Sequence, residues 1–565
     1  MPKSNRLDLN RGMWIALIAS TIGLTLACLR MWWQPILADE WDFYRAMIDW
    51  LNNRALIPHP QAYIHFAQLN LSIFGTSIGS ARLAGVFSAI ASVWLIPVLV
   101  HYAWPDHPQR DRFTVIAIIL TAINPLTLQN AMILDIDNTL LIPATMILII
   151  AWAATLHSSR RTRIIVVSLT LAFNLWVKLP TPPLIMASLG LYHLARREWK
   201  RAGEIILTSL LGLAIFSLTF MIYSALSGYQ LSYFGMTFGR AGSFFNLRDL
   251  ITRFPQGLGV FVMWLSLPLT ILLLIAVIES ARRLWHKRTT PADAIILGVI
   301  IVGLFYPLVY VPAWGYPRYQ APIVPLISTL VAALIVPYTL SLPKSVVRGL
   351  LILGAILLAL NLWLLPDPLY PIYQVTFEGD LYDITHRLLG GLKVVAEIGV
   401  PIILLLIAGT IYARRQKLDG GAARRRILSL LTVVTLAALS FTQVNADYST
   451  RYRYTYNYAD YWWSVREAQS LGLNANIMAI KDALWESGLP GEEIYPYLCA
   501  DCSPSLVDTI HARRIDALIW TTKEASRSGG LTDDPKFNAA LDACYSRSTR
   551  GVFIVYLLKN ATPCK

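Results

Sequence analysis

The chain is short of charge. Only 15% of its 565 residues are Asp, Glu, Lys or Arg, against 55% hydrophobic, where a soluble domain carries about 25% charge. This scarcity excludes a run of ordinary soluble domains, which a chain of this length would otherwise suggest. The net charge of +14 does not indicate nucleic acid, because the basic residues fall in short clusters between apolar stretches. Cysteine is scarce too, with five in all. Beside Cys499-Ala-Asp-Cys502 there is no second close-spaced pair, and no His cluster to complete a zinc site. The first apolar run has a basic flank but lacks a small-residue cleavage site, so it reads as an uncleaved anchor.

What the chain does have is apolar runs of the length that crosses a hydrocarbon core, about 20 residues. They fall at 13–33, 83–104, 113–131, 139–156, 164–177, 182–195, 205–227, 256–279, 294–312, 321–337, 350–366, 394–412 and 427–443. Lipid offers the backbone no hydrogen bonds, so these runs should be helices. The expected fold is a mainly α membrane protein of about thirteen transmembrane helices. Alternate loops, starting from the N-terminal tail, hold most of the Lys and Arg: Arg160, Arg161 and Arg163 in one, Arg196, Arg197, Lys200 and Arg201 in the next, and Arg414, Arg415, Lys417, Arg424, Arg425 and Arg426 in the last. The basic side is cytoplasmic. An odd helix count then puts residues 444–565 outside, after a transmembrane domain over 1–443. The expected location is the plasma membrane, crossed many times.

The tail supports an exported domain. Four of the five cysteines, Cys499, Cys502, Cys544 and Cys564, lie in it, and the fifth, Cys28, lies in the first run. An even number in an exported segment favours structural disulfides over half a zinc site or a redox pair. Residues 474–488, 505–514 and 535–546 read as helices, and 494–498, 516–522 and 551–558 as strands. That alternation predicts a small α/β domain. The Tyr-rich stretch from Tyr448 to Trp463 reads as an aromatic belt or packing surface sooner than as a sugar platform.

Carboxylates near the outer surface carry the chemical interest. The loop 34–81 opens with Asp39 and Glu40, and its apolar positions Phe43, Met47, Trp50 and Leu51 have the spacing of a helix lying along the interface. Taken alone, such an acidic pair is a solvated helix start. It has company on the same side. Asp135 and Asp137 interrupt an apolar run, where acids are costly unless they face a cavity or a partner. Lys178 and Arg318 run against the positive-inside trend, singly explained by snorkelling. Together, acids and isolated cations at one face suit group transfer from a lipid phosphate. A carboxylate can deprotonate the acceptor, and cations can stabilise the departing phosphate.

The order of these residues resembles a known family. Asp39-Glu40, His59-Pro60-Gln61-Ala62-Tyr63 to Phe74-Gly75, Ala81-Arg82-Leu83, Leu134-Asp135-Ile136-Asp137-Asn138-Thr139-Leu140, Lys178, and Pro317-Arg318-Tyr319 to Pro325 are similar to the GT-C glycosyltransferases. The likeness is strongest to protein O-mannosyltransferases and lipid A aminoarabinose transferases and covers residues 12–340. It implies a membrane-embedded enzyme that takes sugar from a polyprenyl-phosphate donor by inverting displacement, outside the cell. By the same resemblance Asp39 is the base, Glu40 its partner, and Asp137, with Asp135, the second acid. His59, Arg82, Lys178, Arg318 and Tyr319 would hold the donor phosphate. Where aminoarabinose transferases often have Glu-Lys-Pro, this chain has Pro58-His59-Pro60. His59 is a weaker, pH-dependent cation, and the missing acid leaves a divalent metal open, with no other cofactor implied. The tail lacks the sugar-binding repeats of eukaryotic mannosyltransferases, so the acceptor stays open among protein, lipid and glycan. A lipid-linked glycan flippase would need charges along its helix middles or broken helices. A glycan polymerase or ligase shares the donor chemistry, and a binding protein on the same fold would not need both acids.

Overall fold

In a computed structural model of the chain, the described residues are 9–31, 39–53, 59–124, 139–229, 267–286, 289–309, 318–339, 458–497, 505–522, 534–551 and 553–559, with the single positions 126, 127, 131, 134, 258, 261 and 265. They fall into two compact units. One takes residues 1–33 and 43–450, the other 34–42 and 451–565. The expected spans 350–366, 394–412 and 427–443 lie outside the described residues, as do Asp135, Asp137, Cys499, Cys502 and Cys564.

The first unit is helical. Its elements are α1 (Arg11–Met31), most of α2 (Asp39–Ile48, whose first four residues belong to the second unit), α3 (Trp50–Asn53), α4 (Ala62–Phe74), α5 (Ile78–Ala103), α6 (Arg110–Ile123), α7 (Leu141–Thr155), α8 (Arg160–Val177), α9 (Thr181–Ala195), α10 (Trp199–Ser227), α11 (Leu267–Trp285) and α12 (Pro291–Val309). A 3-10 turn over Arg318–Ile323 then leads into α13 (Val324–Thr339). Among the described residues, four helices are long and apolar enough to cross a membrane: Ile78–Ala103, Trp199–Ser227, Pro291–Leu308 and Tyr319–Val336. Arg11–Leu26 and Leu141–Thr155 are shorter apolar helices.

Local chemistry fixes the boundaries. Ser77 caps α5 by accepting the Ser80 backbone N–H at 3.1 Å, which starts the helix ahead of the apolar run. Ser159 caps α8 in the same way through Thr162 N–H at 3.1 Å. Gly228 stops α10 in the left-handed conformation, φ 65°. Only one stripe of α10 is buried, Ala202, Ile205, Thr208, Gly212 and Phe216, and its other faces expose Leu and Ile as a lipid-facing helix would. A Cβ on Gly212 would come within 2.7 Å of Leu171, so the missing side chain is what lets α10 lie close on α8.

The second unit contains a five-stranded sheet in the order β2-β1-β3-β5-β4. Its strands are β1 (Ile477–Ala479), β2 (Gly491–Glu493), β3 (Ala517–Thr521), β4 (Tyr545–Arg550) and β5 (Phe553–Leu558). β1 pairs parallel with β2 and β3, while β5 pairs antiparallel with β3 and β4. Around it lie α14 (Tyr458–Gln469), α15 (Lys481–Ser487), α16 (Leu506–Ala512) and α17 (Pro535–Cys544). Three details depart from the sequence reading. The stretch 474–488 divides into β1 and α15, because Ile477–Ala479 is buried on every side between β2 and β3. The strand expected over 494–498 is a 3-10 turn at Tyr495–Tyr497, and the pairing falls to Gly491–Glu493 instead. There the glycine is needed, since a Cβ at Gly491 would strike the Ile477 carbonyl. The polar strand β4 carries no apolar pattern and was read as helix end and loop. Cys544 is disulfide-bonded.

Candidate functional site

The site begins where α8 stops. Pro180, Pro182 and Pro183 cannot extend a helix interior but fit the first turn of the next one, so the chain breaks between α8 and α9. Lys178 occupies the break in extended backbone, φ −159° and ψ 139°, and its N–H donates to the Asn174 carbonyl at 2.9 Å. Its side chain is only 2% exposed. A lysine held this deep among apolar helices is costly unless something stabilises the ammonium. Part of that comes from Tyr319, whose ring centroid lies 5.4 Å from Nζ, a cation–π contact worth about 0.5–2 kcal/mol. Tyr319 is itself fixed. It stacks on Tyr306 with centroids 5.2 Å apart and planes 13° from parallel. Tyr306 in turn shares a 2.6 Å hydrogen bond between its hydroxyl and that of Thr181, both buried. Arg318 is the first residue of the 3-10 turn that carries Tyr319, and its side chain lies outside the described residues.

The same end of the bundle gathers the first-loop residues. Gln61 precedes α4, is fully buried, and donates from Nε2 to the His59 carbonyl at 2.7 Å. The Tyr229 hydroxyl donates to that carbonyl as well, at 3.1 Å. Burial pushes the Tyr229 phenol well above its ordinary value, against an opposing hydrogen bond from Gln61. Arg82, in the second turn of α5, is 5% exposed. Its neighbours Ala81 and Ala84 share an apolar cluster with Tyr63 and Leu134, the residue before Asp135. Leu141 and Val177, the residue before Lys178, share another with Ala62 and Leu140. Leu134 and Leu140, on either side of that acidic segment in the chain, thus pack with Tyr63 and Ala81 and with Val177 respectively.

Of the residues expected from sequence, Lys178 and Tyr319 are in direct contact, the His59 carbonyl accepts from Gln61 and Tyr229, and Arg82 is buried in α5. Asp39 and Glu40 open α2, one turn ahead of the packed Phe43, with side chains outside the described residues. Among the described residues, no three of His, Cys, Asp and Glu come together to hold a metal. Sequence reading missed Tyr306 and Thr181. A tyrosine inside an apolar helix and a threonine between prolines read as core and as a helix start, and only the stacking and hydrogen bond give them a role. A cavity of 590 Å³ lined by Pro105 to Arg112 sits between α5 and α6. It is built from one loop at the opposite end of the bundle, away from these residues.

Comparison with known proteins agrees on architecture. No protein-family model matches the chain, and no curated protein does. Among solved structures it is similar to ArnT from Cupriavidus metallidurans bound to undecaprenyl phosphate, with a TM-score of 0.54 and 14% identity over 97% of this chain and 98% of that one. The apo state of the same ArnT gives a TM-score of 0.53 and 14% identity over 96% and 97%. The archaeal oligosaccharyltransferase AglB from Archaeoglobus fulgidus, in complex with an inhibitory peptide and a dolichol-phosphate, reaches a TM-score of 0.46 at 11% identity over 98% and 75%, a likeness too low to argue from. At these identities the likeness to ArnT shows the fold.

Proposed function

We propose that the chain is a membrane glycosyltransferase that moves a sugar from a polyprenyl-phosphate donor to an acceptor on the extracytoplasmic side, with inversion at the anomeric carbon. The observation that carries the reading is Lys178, buried at a break between membrane helices and held over the ring of Tyr319. A cation built into that position at a cost in desolvation suits a phosphate that arrives from the lipid. The fold shared with an enzyme solved with undecaprenyl phosphate supports the same donor class.

In this reading the acceptor hydroxyl attacks the anomeric carbon while the bond from that carbon to the phosphate oxygen breaks. The hydroxyl proton passes to the Asp39 carboxylate, and polyprenyl phosphate leaves with the electron pair. Lys178 and Arg318, with His59 and Arg82, offset the charge that develops on the phosphate. Glu40, Asp137 and Asp135 orient the acceptor or Asp39. The acceptor is a protein, lipid or glycan hydroxyl, and residues 444–565 form an extracytoplasmic domain of a plasma-membrane enzyme.

Single-turnover transfer from a labelled polyprenyl-phosphate sugar in purified membranes tests this. Asp39→Asn keeps the shape and removes the base, so transfer should fall by about 10²–10⁴-fold while donor binding persists. Full activity of Asp39→Asn at neutral pH moves the base elsewhere, with Asp137 next in line. Absence of any transfer by the native protein from every polyprenyl-phosphate sugar tried would end the reading.

A further inference from the structure

Beside the phosphate end lies a second feature that the reaction as written does not use. Trp50, from α3, has its ring centroid 5.5 Å from Tyr229 and 5.7 Å from His65. His65 is exposed and pinned, its Nε2 2.8 Å from the Tyr223 hydroxyl and its Nδ1 2.8 Å from Gln68 Oε1. Tyr223 lies 5.4 Å from Trp176, two residues before Lys178. Within this aromatic wall two polar atoms are buried without hydrogen-bond partners. They are the Trp50 indole Nε1 and the Gln61 amide Oε1, on residues 9% and 0% exposed.

A membrane-interface belt does not account for them, since belt tryptophans point the N–H at headgroups or water. The chemistry of the two atoms narrows the ligand. One is a donor and the other an acceptor. A polyprenyl tail would satisfy neither. A phosphate could accept from Trp50, but it offers no proton to Gln61 and its charge would face a carbonyl oxygen. A sugar ring satisfies both, because each hydroxyl accepts and donates, and its C–H face packs on aromatic rings. We propose that Trp50, Gln61, Tyr229, His65 and Tyr223 form a subsite for a neutral sugar ring. The subsite rests on the glycosyltransferase reading and adjoins its phosphate end, because Ala62 shares a cluster with Val177.

The ring belongs either to the donor or to the acceptor, and one experiment separates them. Full-length protein in nanodiscs is titrated with undecaprenyl phosphate, with its mannosyl, glucosyl and arabinosyl conjugates, and with free mannobiose and maltose. If the donor sugar sits here, the native protein binds one conjugate at least tenfold tighter than the bare lipid. Trp50→Phe, which keeps a ring and removes the N–H, and Gln61→Leu then abolish that difference and leave bare-lipid affinity unchanged. If an acceptor sugar sits here, lipid affinities stay as they are and a free disaccharide binds the native protein but neither variant. The subsite is overturned if both variants match the native protein for all ligands, or if they weaken bare lipid and conjugate equally. Lys178→Met separates the two readings. Bare-lipid binding indifferent to that change overturns the phosphate assignment, while disaccharide binding lost in Trp50→Phe still supports the sugar subsite.

Discussion

The two ends of the helical unit treat buried polarity in opposite ways. At the end away from the candidate site, ionised groups close on one another. Asp293, fully buried, accepts from Ser280 Oγ at 2.6 Å, from Arg283 Nη2 at 2.8 Å and from the Thr290 N–H at 2.7 Å. Glu204 takes Arg163 at 2.5 Å and Arg160 at 3.4 Å. His193 sits between the Trp152 indole and Glu198, at 3.3 and 2.8 Å. At the other end, buried polar atoms are left over: Thr121 Oγ1, Thr127 Oγ1, Thr145 Oγ1, Asn174 Oδ1 and Ser328 Oγ, besides Trp50 and Gln61. The two such atoms at the paired end, His101 Nδ1 and Gln109 Oε1, belong to half-exposed residues. A buried group without a partner costs about 1–3 kcal/mol. Several of these gather at one end, while at the other the buried ionised groups are paired.

That contrast can be broken most sharply by Asp293→Ala. It leaves the Ser280 hydroxyl and the Thr290 N–H without their acceptor and, with Arg283 partly solvated, should cost about 1–3 kcal/mol of stability. The melting temperature in detergent should drop steeply, while donor affinity of the surviving folded protein stays near native. Lys178→Met is the mirror image. Donor-lipid binding should weaken about 30-fold or more with little change in melting temperature. If Lys178→Met unfolds the protein and Asp293→Ala abolishes binding, the division between the ends is wrong.

Smaller changes sharpen the picture. Tyr306→Phe removes the 2.6 Å hydrogen bond to Thr181 but keeps the ring stacked on Tyr319. It should cost about 0.5–1.5 kcal/mol, read as a several-fold loss of donor affinity in the same titration. Thr145→Val replaces a buried hydroxyl that has no partner by an apolar group of the same shape. It should raise stability by about 1 kcal/mol. Thr155→Val, whose hydroxyl donates to the Ala151 carbonyl at 2.7 Å, should not raise it. A melt of both variants side by side decides.

Part of this was legible in the residues. Lys178 and Tyr319 could be named from sequence because a basic residue on the wrong side of the charge pattern and an Arg-Tyr after a proline are visible without coordinates. Ser77 and Ser159 start α5 and α8 several residues ahead of the apolar runs at 83 and 164, through cap chemistry that the hydropathy pattern does not show. Trp50 was read only as an apolar position on an interfacial helix, and Gln61 only as part of a motif, because nothing in a sequence says whether an indole N–H or an amide oxygen will find a partner. β1 was absorbed into a helix for a related reason. Three residues carry too little pattern to choose a state, and pairing with β2 and β3 made the choice.

Sequence by itself determined the solvent. The balance of apolar runs and sparse charge favours helices in lipid, and the basic loops predict an orientation for them. It also determined which residue types stand near the helix ends, since proline breaks and serine caps act within a few residues. Only the tertiary structure decided which of them meet. Lys178 and Tyr319, far apart in the chain, come together because α8 ends where the 3-10 turn packs, and Tyr306 and Thr181 lock the pair. Contacts of that separation depend on how whole helices pack, through shape and close approach such as Gly212 on Leu171, and no local spacing encodes them.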